Sequence, residues 1–245
     1  MEPFYELDEH YAIDLPGARA VFTTRRGGAS HGPFASLNLG LLTDDEPDRV
    51  HANRAGLAER FGVRLAMCRQ VHGTAIHDAS EPTIGADGRA LVELPLVDGQ
   101  VTTTFGLAPM VLVADCLPIA LAAPGAVAVL HAGWRGLAGG IVEAGVAELR
   151  ARAGSSAAVS AAIGPGVGGC CYEVGPEVHA AFGRSARTRA TIDLKDIARE
   201  RLRAAGVEHV YDIGLCTMCS DPSLFFSHRR DAGVTGRQAG IAWLS

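Results

Sequence analysis

Residues 111–136 read VLVADCLPIALAAPGAVAVLHAGWRG and contain three apolar runs in close succession. Val111–Ala114, Leu117–Leu121 and Ala126–Leu130 each have the length of a β-strand, and the Pro124-Gly125 pair between the last two is a turn signal. A Gly-Trp-Arg-Gly segment and a helical pattern follow. The stretch therefore predicts a strand, a break, an antiparallel hairpin and the start of a helix.

The predicted hairpin brings one thiol and one imidazole together at its open end. We expect residues whose numbers sum to 247 to face each other across the hairpin, which sets Cys116 opposite His131. A single cysteine or histidine beside an apolar run is most often a core residue. The pairing, the adjacent Asp115 and the glycines after His131 favour a functional site over ordinary packing.

The remaining pattern predicts one mixed α/β domain over residues 1–245. Asp45 and Asp193 are the expected N-terminal caps of two of its helices. Strands are expected at 18–23, 65–71, 97–103, 157–163, 207–213 and 241–244, and helices at 47–61, 137–153, 176–182 and 194–205. The elements alternate irregularly and no repeat or linker divides the chain. This favours a single domain with much antiparallel pairing over a doubly wound parallel sheet.

Composition narrows the functional classes. Hydrophobic residues make up 48% of the 245 residues, which allows a substantial core. The net charge of -5 and the aromatic content of 6% argue against a nucleic-acid partner. We expect no membrane helix and no secretory signal, because no apolar run is long enough and the N-terminal stretch is acidic. The cysteines are then expected to be reduced thiols or ligands in a cytoplasmic protein, and a monomer is expected.

His72, Cys116 and His131 form the candidate site. His72 ends the strand predicted at 65–71 and precedes Gly73, so all three residues lie at strand ends beside glycine or polar residues. Two imidazoles and one thiolate suit Zn²⁺, and three protein ligands leave a fourth position for water or substrate. The same side chains could instead form a cysteine nucleophile with histidine partners, or a copper site of the His₂Cys type.

Four other cysteines are predicted to have no functional role. Cys216 and Cys219 have the Cys-x-x-Cys spacing, but no second such pair completes a structural zinc site, so we interpret them as core thiols. Cys170 and Cys171 are adjacent and, as extended residues, could not both face one site, so we interpret them as local packing. The glycine motifs of nucleotide-binding loops and the GxSxG motif of hydrolases are absent.

Short motifs along nearly the whole chain carry a family resemblance. They are TTRRGG (23–28), SLNLG (36–40), NR (53–54), QVHG (70–73), DGQVT (98–102), ADCLP (114–118), HAGWRG (131–136), IGPGV (163–167), CYEVG (171–175), CT (216–217), FFSHRRD (225–231) and TGRQ (235–238). In this content and order the chain resembles the YfiH or laccase-domain family of FAMIN-like proteins. Val97 departs from the family pattern, in which alanine is common at that position.

The resemblance implies a fold, a metal and a reaction. The fold is a single-domain αββα layered sandwich, similar to the catalytic domain of the cytotoxic necrotizing factor toxins. The metal is zinc at His72, Cys116 and His131, with copper as the alternative. The reactions are phosphorolysis of adenosine, inosine, guanosine and methylthioadenosine, and deamination of adenosine, so the partners are purine nucleosides and phosphate. Family members are also described as polyphenol oxidases and as peptidoglycan editing factors.

Chemistry helps to choose among these activities. Multicopper oxidases build their copper cluster largely from His-x-His motifs, and none occurs among the nine histidines. Phosphorolysis needs an anion site, and the matching motifs supply four candidate arginines. The predicted substrate-binding residues are Arg25, Asn38, Arg54, Arg135 and Arg229, and Asp115 is the candidate catalytic carboxylate because it is nearest to Cys116 in sequence. A metal-free Cys–His hydrolase or deamidase acting in peptidoglycan precursor editing is the alternative.

Overall fold

The computed structural model describes residues 3–245, so Met1 and Glu2 of the acidic N-terminal stretch lie outside it. The strands are β1 (Tyr5–Leu7), β2 (His10–Leu15), β3 (Ala18–Phe22), β4 (Arg64–Met67), β5 (Ile76–Asp78), β6 (Gly99–Thr102), β7 (Leu107–Val113), β8 (Leu117–Ala123), β9 (Ala126–Ala132), β10 (Ser160–Ile163), β11 (Glu173–Val174), β12 (Ala190–Thr191), β13 (His209–Asp212) and β14 (Gln238–Leu244). The helices are α1 (Pro47–Phe61), α2 (Trp134–Gly139), α3 (Ile141–Ala153), α4 (Pro176–Ala181) and α5 (Leu194–Ala204). None of the helices within residues 3–245 is long and apolar enough to cross a membrane.

Two six-stranded sheets form the centre of the fold. The first has the order β1-β2-β3-β14-β7-β4 and the second the order β13-β10-β8-β9-β6-β5. The pairs β4–β7, β5–β6 and β10–β13 are parallel and the other pairs in these sheets are antiparallel. The predicted mixed α/β class with much antiparallel pairing is therefore confirmed.

The two sheets pack face to face between outer layers of helices. In β8, Leu117, Ile119 and Leu121 contact the helix layer formed by α3 and α5, whereas Ala120 and Ala122 face the first sheet. Helix α1 covers the outer face of the first sheet through Leu57. This αββα order agrees with the predicted fold class, and the similarity to the necrotizing factor toxins stays a prediction. Because β8 and β9 are covered on both faces, they are apolar throughout.

The central hairpin forms as predicted, but the predicted pairing register was wrong by two residues. Ala123 pairs with Ala126 and Pro118 with His131, so paired residue numbers sum to 249. The physical reason is the tight turn, in which Pro124 and Gly125 alone connect the strands and Gly125 adopts a φ of 75°. Cys116 therefore lies just before β8 and not directly opposite His131, although the two side chains still meet.

Two predicted helix features also differ from the structure. The cap of α1 is Glu46 and not Asp45, whose carboxylate instead accepts hydrogen bonds from Ser30 and Asn38. The helix predicted at 137–153 starts earlier and is two helices, because Gly140 adopts the left-handed conformation between α2 and α3. Asp193 caps α5 as predicted, accepting from two backbone N–H groups.

Candidate active site

His72, Cys116 and His131 meet at one edge of the inter-sheet layer. His72 follows β4, Cys116 lies in the bend between β7 and β8, and His131 is in β9. One potential ligand atom from each side chain lies within 4.8 Å of the others. The two imidazole rings are nearly perpendicular, with centroids 4.8 Å apart. The structure thus brings together the three residues that the sequence selected.

Asp98, which precedes β6, holds two of the three residues in place. Its Oδ1 accepts from His131 Nδ1 at 2.7 Å and from the backbone N–H of His72 at 2.9 Å. Its Oδ2 accepts from the N–H groups of Val71 at 3.1 Å and Gly73 at 2.6 Å. The carboxylate is fully buried. Because it fixes the Nδ1–H tautomer, His131 Nε2 is the ring atom left for a metal.

The buried charges of the site are mutually stabilising. Burial by itself raises the pKa of the Cys116 thiol, but the charge and hydrogen bond of His131 and the hydrogen bond of His72 lower it to about 6. Burial also lowers the pKa of His131, but the Cys116 thiolate and the Asp98 carboxylate raise it to about 9. A thiolate beside an imidazolium is therefore the favoured state of the metal-free protein at neutral pH.

The backbone around the site is shaped for close approach. A Cβ atom on Gly133 would lie 3.1 Å from Cys116 Sγ and 3.2 Å from His72 Cδ2, so glycine leaves room for these two side chains. His72 and Asp115 adopt φ angles of 61° and 89°, which non-glycine residues rarely do. Hydrogen bonds hold both residues in this conformation. The His72 N–H donates to Asp98, and Thr217 and Arg229 donate to the Asp115 carboxylate. Strain of this kind is concentrated at functional sites.

The donor set fits Zn²⁺ with three protein ligands. Two imidazoles and a thiolate of low pKa are ligands that zinc prefers, and the ligand atoms are close enough to share one ion. The carboxylate behind His131 is the usual partner of a zinc-bound histidine. His72 is exposed and Cys116 half-buried, so an ion held by these residues would be accessible from solvent.

A pocket of about 690 Å³ opens beside the three residues. Its volume lies in the range of sites for small organic ligands, which is about 300–1,000 Å³. One wall is aliphatic, with Leu42, Val92 and Leu96 at its rim, and these three side chains are more than half exposed. Cys116, His72 and His131 form the polar end of the pocket.

Two arginines reach the same pocket, and only one of them was predicted. Arg54 of α1 is 2% exposed, and its Nη1 atom has no hydrogen-bond partner within residues 3–245, whereas its Nε donates to Leu39 O. Burial lowers the pKa of Arg54 to about 10 and also lowers that of Arg237, which precedes β14. Neither guanidinium forms an ion pair with a carboxylate of the described chain. An anion in the pocket would compensate both charges.

Arg25 and Asn38 lie outside the pocket lining and stabilise the surrounding loops. The Arg25 guanidinium donates to the carbonyls of Ala35, Pro33 and Pro222. Asn38 is fully buried, and its Oδ1 accepts from the N–H groups of Gly40 and Arg237. Asn38 thus joins the two segments that bring Gly40 and Arg237 to the pocket, which makes it a positioning residue.

Arg135, Arg229 and Asp115 are also outside the lining of the pocket. Arg135 is exposed and lies over the Trp134 ring at 4.3 Å. Arg229 lies over the Tyr172 ring at 4.9 Å, and its backbone N–H donates to Asp115 Oδ2 at 2.8 Å. The Asp115 carboxylate also accepts from Thr217 Oγ1 at 2.6 Å. The carboxylate bonded to the histidine is therefore Asp98, not the one nearest to Cys116 in sequence.

Asp98, Arg237 and His228 were not among the predicted site residues. Arg237 and His228 line the pocket from segments more than 100 residues beyond Cys116. Cys216 is buried, as expected of a core thiol, but the same interpretation of Cys219 was wrong because Cys219 is exposed. The expectation that Cys170 and Cys171 cannot face one site was also wrong, since both belong to one cluster with Cys216 and Cys219. The adjacent pair converges because it lies in a turn, where side chains do not alternate as they do in a strand.

Comparison with known proteins gives relatives over almost the whole chain. Residues 19–245 match the family model described as multi-copper polyphenol oxidoreductase laccase. Purine nucleoside phosphorylase YlmD of Geobacillus stearothermophilus is 40% identical over 92% of this chain and 90% of its own length. A purine nucleoside phosphorylase of Xylella fastidiosa is 40% identical over 94% of this chain and 93% of its own.

Solved structures show the same fold. The crystal structure of YlmD from Geobacillus stearothermophilus superposes with a TM-score of 0.89 at 38% identity, covering 98% of each chain. The structure of the hypothetical protein YfiH from Bacillus licheniformis superposes with a TM-score of 0.91 at 31% identity and covers 100% of both chains. The arrangement of two sheets and flanking helices is therefore shared along the whole length.

Proposed function

Because this chain belongs to the multi-copper polyphenol oxidoreductase laccase family, and relatives 40% identical to it bear the name purine nucleoside phosphorylase, we propose that it is a zinc-dependent purine nucleoside phosphorylase. The zinc ligands are His72, Cys116 and His131. The substrates are adenosine, inosine, guanosine and methylthioadenosine with inorganic phosphate, and the products are the free base and the sugar 1-phosphate. Deamination of adenosine is a second activity of the same site, and the enzyme acts in the cytoplasm.

The buried Arg54 guanidinium carries the proposal. Among residues 3–245 its Nη1 has no hydrogen-bond partner and its charge pairs with no carboxylate, although the side chain is 2% exposed and lines the pocket. Leaving such a group unpaired is costly, so the site is complete only when an anion is bound. Arg237 adds a second positive charge at the pocket. Two guanidinium groups beside a small-molecule pocket suit phosphate, the nucleophile of phosphorolysis.

The aliphatic wall supports a purine base in the same pocket. Leu42, Val92 and Leu96 offer apolar surface that a flat heterocycle would cover, and their high exposure in the free protein is otherwise unfavourable. The base at this wall and the phosphate at the arginines would place the glycosidic bond of the nucleoside between them.

In the proposed reaction, an oxygen of phosphate bonds to C1′ of the sugar as the bond from C1′ to the purine nitrogen breaks. Arg54 and Arg237 bind and orient the phosphate, and the departing base takes up the proton that hydrogen phosphate gives up as it becomes the sugar phosphate ester. Asp98 keeps His131 in one tautomer and orientation. Zn²⁺, when bound, would supply Lewis-acid activation at its fourth position, which also serves deamination.

A metal-free Cys–His hydrolase is the second candidate, and one observation favours it. The pKa of Cys116 is lowered to about 6 because His131 pairs with its thiolate, which is the activation that a cysteine nucleophile needs. The metal content of the purified protein separates the two candidates. One tightly bound zinc ion per site that is lost in Cys116→Ser supports the phosphorylase. Hydrolytic activity that is unchanged after a chelator has removed the metal supports the hydrolase. Bound copper would instead support an oxidase.

The test of the anion site is Arg54→Lys, which keeps the charge but removes the forked guanidinium. We expect the KM for phosphate to rise about tenfold or more, the equivalent of roughly 1.4 kcal/mol, while the KM for adenosine changes little. Arg49→Lys is the matched control, since Arg49 lies on the same helix and pairs with Glu46. A phosphate KM in Arg54→Lys equal to that of the control would contradict the proposal.

A further inference from the structure

Two loops of the second sheet bring four cysteines together outside the active site. The strands β10 and β13 are parallel neighbours, and the segments that follow them run side by side, with a bridge between Gly166 and Cys216. Their turns carry Cys170 with Cys171 and Cys216 with Cys219. The sulfur atoms of all four lie within 4.8 Å of one another.

The backbone of both loops is folded to aim the thiols inward. The N–H groups of Cys171 and Tyr172 both donate to Gly168 O, which closes a tight turn under the adjacent pair. The N–H of Ser220 donates to Cys216 O and closes the Cys-x-x-Cys turn. The N–H of Gly168 donates to Cys216 Sγ at 3.2 Å, a bond that favours the thiolate. Cys216 is buried and Cys170 and Cys219 are exposed, so the cluster is open to solvent on one side.

We propose that Cys170, Cys171, Cys216 and Cys219 bind a structural Zn²⁺ ion. Four thiolates are a closed tetrahedral set with no position for substrate, in contrast to the His₂Cys set of the active site. Zn–S bonds of about 2.3 Å place the sulfurs of such a site about 3.8 Å apart. The Cys170 and Cys219 sulfurs, 3.5 Å apart, and the limit of 4.8 Å for the whole cluster require only small adjustments.

The zinc would fix two loops that support the active site. Thr217, between the cluster cysteines, donates to the Asp115 carboxylate next to Cys116. Tyr172, directly after Cys171, lies under the Arg229 guanidinium, which also donates to Glu173 O. Cys170 and Cys219 are 49 positions apart in the chain, so their sulfurs meet only when the chain is folded, and zinc binding adds its free energy to folding.

The test is the zinc content of protein that has been reduced, reconstituted with excess Zn²⁺ and desalted. We expect about two zinc ions per chain in the wild type and about one in each of Cys219→Ser and Cys116→Ser. Cys68→Ala, which removes a buried thiol outside the cluster, is the control and is expected to keep both ions. With Co²⁺ in place of Zn²⁺, Cys219→Ser should lose most of the sulfur-to-cobalt charge-transfer absorption, because the active site contributes only one thiolate.

The results distinguish the zinc site of the cysteine cluster from the metal site of the proposed function. Loss of one ion and a lower thermal midpoint in Cys219→Ser, with the ion of the active site retained, support the proposal. A zinc content equal in Cys219→Ser and the wild type overturns it, as does a Cys170–Cys219 disulfide that persists in the reconstituted protein. Loss of an ion in Cys116→Ser alone supports the active-site metal and contradicts the second site.

Discussion

Replacing Asp98 by asparagine tests how the active site is held together. The wild-type carboxylate is fully buried and accepts four hydrogen bonds, two on each oxygen. Asparagine has the same shape but only one acceptor oxygen, so its NH₂ group must face two N–H donors. Two hydrogen bonds to a charged group are lost, at about 1.5–3 kcal/mol each, so about 3–6 kcal/mol is the upper bound of the destabilisation.

The expected result is a folded but weakened protein with poor zinc binding. A domain of this kind is stable by about 5–15 kcal/mol, so Asp98→Asn should still fold in the cold. Zinc affinity should fall about 10–100-fold, because His131 loses the carboxylate that fixes its tautomer. Urea unfolding and zinc competition with a chelator measure the two effects. The pH dependence of the free energy of unfolding should change as well.

The direction of this change in pH dependence follows from the pKa of Asp98. Although burial raises this pKa, the hydrogen bonds from His131 and from the N–H groups of Gly73 and Val71 lower it overall. The carboxylate therefore stabilises the fold fully above the unfolded pKa of about 3.9, and this contribution is lost as the pH falls through the lower folded pKa. The wild type should lose stability in that acidic range more steeply than Asp98→Asn.

Asp14→Asn is the matched control. Asp14 is an exposed carboxylate that accepts from Arg19 at 2.7 Å and from Tyr5 at 3.1 Å. Its removal should cost less than about 1 kcal/mol, since surface pairs contribute little, and should leave zinc affinity unchanged. Equal stability and equal zinc affinity in Asp98→Asn and Asp14→Asn would refute the role assigned to Asp98.

Three further predictions concern Gly133 and Cys116 of the site and Gly56 of α1. Gly133→Ala should cost at least tenfold in zinc affinity, because the added Cβ would lie 3.1 Å from Cys116 Sγ, and a chelator titration equal to that of the wild type would show that the site tolerates it. Gly56→Ala should raise the free energy of unfolding by about 0.5–1 kcal/mol, since Gly56 lies inside α1 and, apart from its chain neighbours and the nearby helix backbone, no atom of residues 3–245 lies within 4 Å of the new Cβ. A lower urea midpoint would contradict this. In metal-free protein, alkylation of Cys116 followed by peptide mass spectrometry should rise with pH around a midpoint of about 6, and a midpoint above pH 8 would mean that His131 does not stabilise the thiolate.

The central hairpin and the three site residues were predictable because their signals are local. A two-residue turn between apolar runs specifies a hairpin. Polar residues at strand ends beside glycine stand out because they interrupt the apolar pattern of the core strands. The register failed because Pro124 and Gly125 alone form the turn, so the strands extend to Ala123 and Ala126. Short charged strands such as β1 were not predicted, since three residues give no clear periodicity.

The rest of the site depends on contacts between distant segments. Arg237 reaches the pocket because β14 inserts between β3 and β7, an order that periodicity does not specify. Asn38 is 199 positions from its partner Arg237. The cysteine cluster needs two parallel strands and two turns, and an extended chain at Cys170, as expected from the sequence, would not bring the thiols together. The Cys-x-x-Cys spacing of Cys216 and Cys219 was the one sign of the cluster in the sequence. The adjacent pair Cys170-Cys171 supplies the other two thiols.

The products formed from adenosine decide directly whether the protein is a purine nucleoside phosphorylase. Zinc-loaded protein is incubated with adenosine, with and without phosphate, and adenine, inosine, hypoxanthine and ribose 1-phosphate are quantified by chromatography, with Cys116→Ser as the inactive reference. We expect ribose 1-phosphate to equal the sum of adenine and hypoxanthine, with both bases formed only in the presence of phosphate and lost in Cys116→Ser. Release of either base that is independent of phosphate, or no free base from fully zinc-loaded protein, would contradict the proposal.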